Sequence, residues 1–291
     1  MILDQFKLDG KVAIVTGSST GLGQGICIAL AEAGAKVVGV DYVPSTDTQK
    51  TIEGLGGEFL EVVANLLSIE VIPSIIDRTK ERFGRIDILF NNAGIIRRED
   101  SYDFSVKNWD DVININLRTV FFFSQAVARE FKKQGQGGKI INTASMLSFQ
   151  GGIRVPSYTA SKSAVKGITM TMANEWAKDG INVNCIAPGY MATNNTVQLR
   201  NDEDRSKEIL DRIPAGRWGT PEDLKGVAVF LASAASDYIN GFTIAVDGGW
   251  CLFRCFGFAR VARLGCGVAL FVFGVHSKNL QKNIFALREK I

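Results

Sequence analysis

The sequence predicts a single α/β domain over residues 1–250, a doubly wound, Rossmann-type, seven-stranded parallel sheet with helices on both faces. Short runs rich in Val, Ile, Leu, Phe and Ala alternate with longer amphipathic segments, a pattern typical of repeated strand–helix–strand units. The runs are almost continuously apolar, as strands buried on both faces require. The segments between them are long enough for the crossovers that parallel strands need.

Each predicted strand ends where its apolar run meets turn-forming or polar residues. The predicted strands are residues 11–16, 36–42, 59–64, 87–92, 139–144, 181–187 and 242–246. Residues 188–240 form the longest stretch without a strand signal and are predicted to build a helical lobe beside the site.

The charge balance and the cysteines exclude several classes of protein. The 33 basic and 30 acidic side chains give a net charge of +3, far too small for a nucleic-acid-binding protein that depends on phosphate neutralisation. The five cysteines are scattered without a C-x-x-C pair, so neither a disulfide framework nor a metal site is predicted. The first ten residues lack the apolar stretch of a secretory signal. We therefore expect a cytoplasmic protein without a bound metal.

Residues 251–291 differ in composition from the rest of the chain and are predicted to lie outside the core fold. They hold seven basic side chains and one acidic one, which leaves 26 basic and 29 acidic side chains, a net charge of −3, in the first 250 residues. Their longest uncharged stretch, residues 264–275, is too short to span a membrane. We interpret the segment as the product of translation past a natural stop or of a frameshift. The alternative is a basic amphipathic segment that contacts a membrane. The only histidine, His276, lies here and is not expected to be catalytic.

A glycine-rich turn between the first strand and a helical segment predicts a dinucleotide-binding site. Residues 16–23 read Thr-Gly-Ser-Ser-Thr-Gly-Leu-Gly. Glycines at such a junction allow a sharp turn and a close approach to a pyrophosphate, and the helix N-terminus that follows presents free N–H groups to the phosphates. The predicted cofactor contacts in this turn are Gly17, Ser19, Gly21, Leu22 and Gly23.

Asp41, at the end of the second predicted strand, favours NAD over NADP as the cofactor. An acidic side chain at this place accepts hydrogen bonds from the adenosine ribose and repels a 2′-phosphate. The turn residues Ser18, Ser19 and Thr20 agree, since none carries a positive charge that would neutralise an extra phosphate. The alternative is a solvated aspartate that only caps the strand.

Residues suited to acid–base chemistry follow the fourth and fifth predicted strands. Tyr158 and Lys162 are four positions apart at the start of a helical segment, so both lie on one face. Ser145 comes just after the fifth strand, and residues 91–94, Asn-Asn-Ala-Gly, end the fourth. Because the carboxyl ends of parallel strands meet at one edge of an open sheet, these residues and the glycine turn are predicted to converge on one crevice.

These motifs, in this order, resemble those of the short-chain dehydrogenase/reductase family over about residues 3–250. The shared pattern is T-G-x-x-x-G-x-G, N-N-A-G, Ser, Y-x-x-x-K and P-G. The resemblance implies an NAD-dependent oxidoreductase that acts on CH–OH groups as a homotetramer. It implies the catalytic residues Asn116, Ser145, Tyr158 and Lys162, and the further cofactor contacts Asn65, Asn92, Ala93, Gly94, Tyr158, Lys162, Pro188, Gly189 and Thr193. Asn65 stands where the family commonly has Asp, and its amide oxygen can still accept a hydrogen bond from the adenine amine.

The same resemblance implies how the reaction proceeds. Tyr158 serves as the acid in carbonyl reduction and as the base in alcohol oxidation. Ser145 holds the substrate oxygen, and Asn116 supports a water-linked proton path to Lys162. Because the pKa of a free tyrosine is near 10, we expect the charge of Lys162 to lower the pKa of Tyr158 toward neutrality.

Three stretches beside the predicted crevice resemble the sugar-acid dehydrogenases of this family, namely residues 95–100, 145–158 and 189–196. They imply a deoxy-hexonate substrate such as 2-deoxy-D-gluconate or 2-keto-3-deoxy-D-gluconate. Oxidation of gluconate at carbon 5, or of another polyol or alcohol, is the alternative. Two other classes of function stay open: a non-catalytic NAD-binding module, and a membrane-tethered interaction protein that would depend on the residues after 250.

A hexonate carries one carboxylate, for which the sequence offers several arginines. Arg154, between Ser145 and Tyr158, is predicted to bind it in a bidentate manner. Arg97 and Arg98 are the other candidates. The remaining predicted substrate contacts are Ser145, Gln150 and Tyr158.

Overall fold

Seven parallel strands form one sheet, in the order β3-β2-β1-β4-β5-β6-β7, in the computed structural model of the chain, which describes residues 1–253. The strands are β1 Val12–Thr16, β2 Lys36–Asp41, β3 Phe59–Val63, β4 Ile88–Asn91, β5 Gly138–Thr143, β6 Ile181–Pro188 and β7 Thr243–Val246. The predicted doubly wound parallel sheet is confirmed, and each strand begins and ends within one residue of its predicted bounds. The expectations about residues 254–291, including His276, fall outside the described residues.

Helices connect the strands and cover both faces of the sheet. They are α1 Gly21–Glu32, α2 Thr46–Gly54, α3 Ile72–Phe83, α4 Val106–Ile113, α5 Thr119–Gln134, α6 Pro156–Trp176, α7 Val197–Asn201, α8 Glu203–Leu210, α9 Glu222–Ala232 and α10 Trp250–Phe253. Among residues 1–253, no helix combines the length and the apolar character needed to cross a membrane.

Strand β1 shows how the sequence builds a core on both sides of the sheet. Val12 and Ile14 enter an apolar cluster covered by α3, α5 and α6, while Ala13 and Val15 enter a second cluster covered by α1 and α9. Alternate side chains of a strand point to opposite faces, so a continuously apolar run is what a strand between two helical layers needs.

The predicted helical lobe over residues 188–240 is too long, because α9 belongs to the core. Leu224, Ala228 and Leu231 form an apolar stripe that is buried against the sheet beside α1. Only the shorter segment that contains α7 and α8 lies beside the crevice, to which it contributes Leu199 and Arg205.

The direction of winding reverses between β1 and β4. From β1 the strands step outward to β2 and β3, and from β4 they step the other way to β7. In an open parallel sheet, such a switch point leaves a crevice outside the carboxyl ends of the strands. The glycine turn after β1 and the polar residues after β4 and β5 therefore meet at one edge.

Candidate active site

A cavity of about 1210 Å³ occupies this edge of the sheet. It is lined by the turn after β1 and by the segments that follow β2 to β6, and it reaches the segment of α7 and α8 at its far end. Of the predicted cofactor contacts, those in the lining are Gly17, Ser19, Gly21, Leu22, Gly23, Asp41, Asn65, Asn92, Ala93, Gly94, Tyr158, Lys162, Gly189 and Thr193. Pro188 is buried at the end of β6 and is not part of the lining.

The glycine turn has the geometry that a bound pyrophosphate requires. Gly17 and Gly21 have φ angles of 73° and 61°, in the left-handed region that favours glycine. A Cβ atom on Gly23 would lie only 1.9 Å from the carbonyl oxygen of Gly17. The turn leads into the N-terminus of α1, whose free N–H groups suit an anion. The turn therefore fits the diphosphate of a dinucleotide cofactor.

Thr16, which begins the glycine-rich motif but is not among the predicted contacts, joins the glycine turn to the loop after β4. Its Oγ1 accepts hydrogen bonds from the backbone nitrogens of Asn92, at 3.0 Å, and Ala93, at 2.9 Å. The Asn92 amide in turn donates to the carbonyl oxygen of Thr16 at 3.1 Å. These bonds fix two walls of the cavity relative to each other.

Asp41 accepts hydrogen bonds from two backbone nitrogens, one of them in the glycine turn. One carboxylate oxygen accepts a hydrogen bond from the Ser19 nitrogen at 2.9 Å and the other accepts one from the Tyr42 nitrogen at 2.7 Å. Ser18 is turned away from the cavity, because its buried hydroxyl is bonded to that of Ser45 at 2.8 Å. Among the described residues, Asp41 is the only acidic side chain in the cavity lining.

Tyr158 and Lys162 lie one turn apart near the start of α6 and face the cavity together. The Lys162 Nζ is 5.7 Å from the centroid of the Tyr158 ring and donates a 2.6 Å hydrogen bond to the carbonyl oxygen of Thr143. Lys162 is only 4% exposed, so this carbonyl is what stabilises its ammonium group in a site largely removed from water.

The expected lowering of the Tyr158 pKa by Lys162 is wrong for this structure. Burial raises the pKa of Tyr158, and the smaller opposing effects come from the Ser145 hydroxyl and the Arg98 charge. Burial also lowers the pKa of Lys162 to about 8. The cost of removing both groups from water exceeds the attraction on which the sequence argument depended, so the protonated form of Tyr158 is favoured.

Replacement of Lys162 by Met should remove a pH dependence of stability from the cofactor-free protein. Lys162 has a pKa of about 8 when folded against an ordinary value of 10.5, so the unfolded chain binds more protons in this window and stability rises as the pH increases through it. We expect this contribution, about 1–3 kcal/mol in total, in the unmodified protein and not in Lys162→Met. Urea unfolding at pH 7.5 and pH 10 measures it. If the free energies of unfolding of the two proteins differ by the same amount at both pH values, the lowered pKa of Lys162 is wrong.

Ser145 and Asn116 lie on either side of the tyrosine–lysine pair. Ser145 follows β5, and its hydroxyl accepts a hydrogen bond from the Leu147 nitrogen at 3.1 Å and interacts with Tyr158. Asn116 lies in a π-helical turn, residues 114–118, between α4 and α5, a distortion that is frequent at functional sites.

The Asn116 amide is buried behind the cavity rather than in its lining. Its oxygen accepts from the Ile95 nitrogen at 2.9 Å, and its nitrogen donates to the Ile95 oxygen at 2.9 Å and to the Ser161 hydroxyl at 3.2 Å. These bonds connect the loop after β4 to α6. The side chain therefore positions the wall that carries Tyr158 and Lys162. The water-linked path from Asn116 to Lys162 stays a prediction.

The structure does not bring Arg154 into the cavity. Arg154 is exposed, is not part of the lining, and has a φ angle of 62°. Its carbonyl oxygen accepts a hydrogen bond from the Glu99 nitrogen at 3.1 Å, which fixes the loop while the side chain stays outside. Arg97, Arg98 and Gln150, in contrast, line the cavity.

Two further arginines and a tryptophan line the cavity and were not among the residues predicted from the sequence. Arg205 and Arg212 come from α8 and the turn after it, and Trp250 begins α10. No spacing motif connects these residues to the glycine turn or to Tyr158, so only the fold reveals them. Within residues 1–253, no group of three or more metal-ligating side chains is present.

The fold and the site together define a short-chain dehydrogenase/reductase, and the chain belongs to this family of oxidoreductases, which act on hydroxyl groups through a nicotinamide cofactor. A family profile described as enoyl-(acyl carrier protein) reductase matches residues 17–251.

Several relatives are named for sugar-acid chemistry. The chain is 66% identical over 250 residues to a 2-dehydro-3-deoxy-D-gluconate 5-dehydrogenase from Dickeya dadantii, which covers 86% of this chain and 99% of the relative. A protein from Agrobacterium tumefaciens with the provisional name 2-deoxy-D-gluconate 3-dehydrogenase, solved with bound NADP, is 51% identical, with a TM-score of 0.82 over 86% of this chain and 99% of its own. A gluconate 5-dehydrogenase from Burkholderia cenocepacia, solved with NADP and tartrate, is 40% identical, with a TM-score of 0.81 over 86% and 98% of the two chains.

Proposed function

We propose that this protein interconverts a hydroxyl and a keto group on a deoxy-hexonate, such as 2-keto-3-deoxy-D-gluconate or 2-deoxy-D-gluconate, with NAD as the cofactor. The observation that carries the proposal is the charge distribution of one continuous cavity. The lining combines the glycine turn and Asp41, the pair Tyr158 and Lys162, and four arginines, namely Arg97, Arg98, Arg205 and Arg212. A lining with several arginines suits a molecule with one carboxylate and several hydroxyls.

The cofactor would be held by three parts of the cavity. The turn around Gly21 and Gly23 would bind the diphosphate, and Asp41 would bind the adenosine ribose. Thr193 would contact the nicotinamide side of the cofactor. Its Cγ2 lies close to the glycine turn, 3.6 Å from where a Cβ on Gly21 would be. When bound, the nicotinamide supplies or accepts the hydride.

The residues of the chain handle the proton and the substrate oxygen. Burial raises the pKa of Tyr158, which favours the protonated form that can donate to the oxygen of a keto group during reduction. In the reverse direction the ionised Tyr158 takes the proton of the hydroxyl. Ser145 lies beside it, where its hydroxyl can donate to the same oxygen. The Lys162 ammonium lies 5.7 Å from the centroid of the Tyr158 ring, where its charge offsets part of the cost of ionising a buried tyrosine when the base is needed.

Asp41 supports NAD rather than NADP as the cofactor of this chain. Its carboxylate is held at the edge of the glycine turn by the Ser19 nitrogen, and its neighbours in the cavity lining, Tyr42 and Val43, carry no positive charge. A 2′-phosphate at this place would meet a like charge without a partner. The solved relatives described above hold NADP, so the cofactor preference is the part of the proposal that needs its own experiment.

Asp41→Asn should shift the cofactor preference toward NADP. The amide oxygen can still accept the hydrogen bond from Ser19, so the variant removes the charge and keeps the turn. We expect the ratio of kcat/KM for NADP to that for NAD to rise by about tenfold, the effect of one nearby like charge in a partly exposed site. Asp47→Asn, an exposed aspartate on α2 outside the cavity lining, is the matched control. An unmodified enzyme that prefers NADP would refute the interpretation of Asp41.

Product identification tests the reaction itself. The protein, NAD and 2-keto-3-deoxy-D-gluconate should yield reduced cofactor, seen at its near-ultraviolet absorbance, and one diketo acid, whose new carbonyl is located by carbon NMR. The names of the relatives favour carbon 5. Faster turnover of gluconate, with a carbonyl at carbon 5, would instead support the alternative of a gluconate dehydrogenase. Binding of NAD without turnover of any sugar acid would support the non-catalytic module.

We propose that the protein is a homotetramer, as its family resemblance implies, and exposed apolar side chains offer surface for contacts between subunits. Trp109 on α4, Phe122 on α5, Met170 on α6 and Phe242 before β7 are 37–61% exposed, and exposed apolar surface of this kind is typical of subunit contacts. Light scattering coupled to size exclusion chromatography measures the assembly, and a monomer would contradict this part of the proposal.

We also propose a cytoplasmic location, where the enzyme has access to the cell's pool of nicotinamide cofactor, and a core domain that is complete by residue 250.

A further inference from the structure

We infer that Arg212, held by the ring of Trp250, is the residue that selects substrates with a carboxylate. The inference rests on the proposed function and makes it more specific. It concerns the part of the cavity wall that is lined by Arg212, Arg205, Tyr190 and Trp250.

The first observation is that the exposed Arg212 guanidinium stacks on an aromatic ring and is not paired with a carboxylate within residues 1–253. Its Cζ lies 4.1 Å from the centroid of the Trp250 ring, within the range of a cation–π contact. Stacking uses the face of the guanidinium and leaves its N–H groups free at the edge, where they can bind a carboxylate in a bidentate manner. Among the described residues, no acidic side chain forms a salt bridge with Arg212.

The second observation is that the support under Arg212 is rigid. Trp250 is 3% exposed and packs edge-to-face on Tyr190, with ring centroids 4.8 Å apart. Ile209 and Ile213, on either side of Arg212 in the chain, are buried in the same cluster as Trp250. A cation fixed in advance loses little conformational entropy when it binds an anion.

Asp247 fixes the backbone that carries Trp250. Its two carboxylate oxygens accept hydrogen bonds from the Gly249 nitrogen at 2.9 Å and the Cys251 nitrogen at 2.8 Å. The Gly248 carbonyl oxygen accepts another from the Ala215 nitrogen at 3.0 Å. The end of the described chain is thereby tied to the turn that follows Arg212.

The other arginines of the cavity are less suited to this role. Arg205 already forms a 2.6 Å salt bridge with Glu208. Arg98 lies near enough to Tyr158 for its charge to oppose the rise of the Tyr158 pKa, so its charge already acts on the proton donor. Neither Arg97 nor Arg98 makes a side-chain hydrogen bond or salt bridge within residues 1–253 that would hold its guanidinium in one place. Among the cavity arginines of residues 1–253, Arg212 is the one that stacks on an aromatic ring and forms no salt bridge.

The test compares a deoxy-hexonate with its neutral analogue, in which the carboxylate is replaced by a hydroxymethyl group. Arg212→Gln should lower kcat/KM for the acid by about 30- to 150-fold, the effect of losing a bidentate, charge-assisted contact. The loss should appear mainly in KM, with the neutral analogue and the Kd for NAD unaffected. Lys207→Gln, which removes an exposed positive charge from α8 outside the cavity lining, is the matched control and should behave like the unmodified enzyme.

Variants of Trp250 test the support separately. Trp250→Phe keeps an aromatic face and should retain most of the preference for the acid. In Trp250→Leu, the ratio of kcat/KM for the acid to that for the neutral analogue should fall by about tenfold. Thermal unfolding of each variant identifies a loss that comes from misfolding, which would affect both substrates equally.

The outcomes separate this inference from the proposed function. An unmodified enzyme without a preference for acids overturns the proposed function, and the role of Arg212 with it. An enzyme whose preference for acids survives Arg212→Gln overturns the role of Arg212 alone, as does an equal loss on acid and neutral substrates.

Discussion

Tyr158→Phe should retain NAD binding and lose about 10²- to 10⁴-fold in kcat, the usual contribution of a positioned proton donor. The variant keeps the ring, which lies 5.7 Å from the Lys162 Nζ, and removes only the hydroxyl that interacts with Ser145. The Kd for NAD, measured by the quenching of protein fluorescence, should therefore stay unchanged while steady-state turnover falls in both directions.

The matched control for this variant is Tyr102→Phe. Tyr102 is 98% exposed and lies outside the cavity lining, so removal of its hydroxyl should leave kcat at the level of the unmodified enzyme. Near-normal turnover by Tyr158→Phe would remove the tyrosine from the proton transfer and return that role to another group in the cavity.

Gly23→Ala should abolish cofactor binding within the tested range, with a rise of at least about 100-fold in Kd, which corresponds to roughly 2.7 kcal/mol. The added Cβ would lie 1.9 Å from the Gly17 oxygen and 2.6 Å from the Asn92 Nδ2, and backbone cannot move aside as a flexible side chain can. The glycine turn must therefore open, which displaces the N–H groups that face the phosphates. Titration with NAD measures the loss, and thermal unfolding measures the accompanying fall in stability.

Gly226→Ala is the control for the effect of the substitution itself. Gly226 is an exposed residue in α9, and a Cβ there would meet nothing within 4 Å. Alanine in this helix should leave NAD binding unchanged and stabilise the protein by up to about 1 kcal/mol. Tight NAD binding by Gly23→Ala would show that the diphosphate does not lie against this turn.

The strands and the cofactor end of the cavity could be predicted from sequence because they depend on local patterns. A strand such as β1, buried on both faces, must be continuously apolar, and a turn such as the one at Gly17, with a φ angle of 73°, favours glycine. Both requirements leave a signature that can be read from neighbouring residues. The predicted bounds of the strands and the position of the crevice follow from these signatures.

The substrate end could not be predicted in the same way because it is assembled from distant parts of the chain. Arg212 and Trp250 meet only after α9 and β7 have packed, and no spacing relates them. Arg154, which the sequence placed between Ser145 and Tyr158, is turned outward by a backbone conformation with a φ angle of 62°. Position along a loop does not determine the direction of a side chain when the loop bends in this way.

The pKa of Tyr158 shows a different limit of sequence reasoning. The i, i+4 spacing placed Lys162 beside Tyr158, and the pair lies on one face of α6. The cost of burial, which raises the pKa of Tyr158 and lowers that of Lys162, depends on the surrounding walls of the cavity. Sequence spacing reports on proximity but not on desolvation.

The central claim is that the cavity selects a sugar acid, and the most direct measurement is the ratio of kcat/KM for a deoxy-hexonate to that for its neutral analogue in the unmodified enzyme with NAD. The expected ratio is about 30 to 150, set by one charge-assisted contact between the substrate carboxylate and an arginine of the cavity. Equal values for the acid and the neutral analogue would contradict it and leave an alcohol dehydrogenase of the same family without a preference for acids.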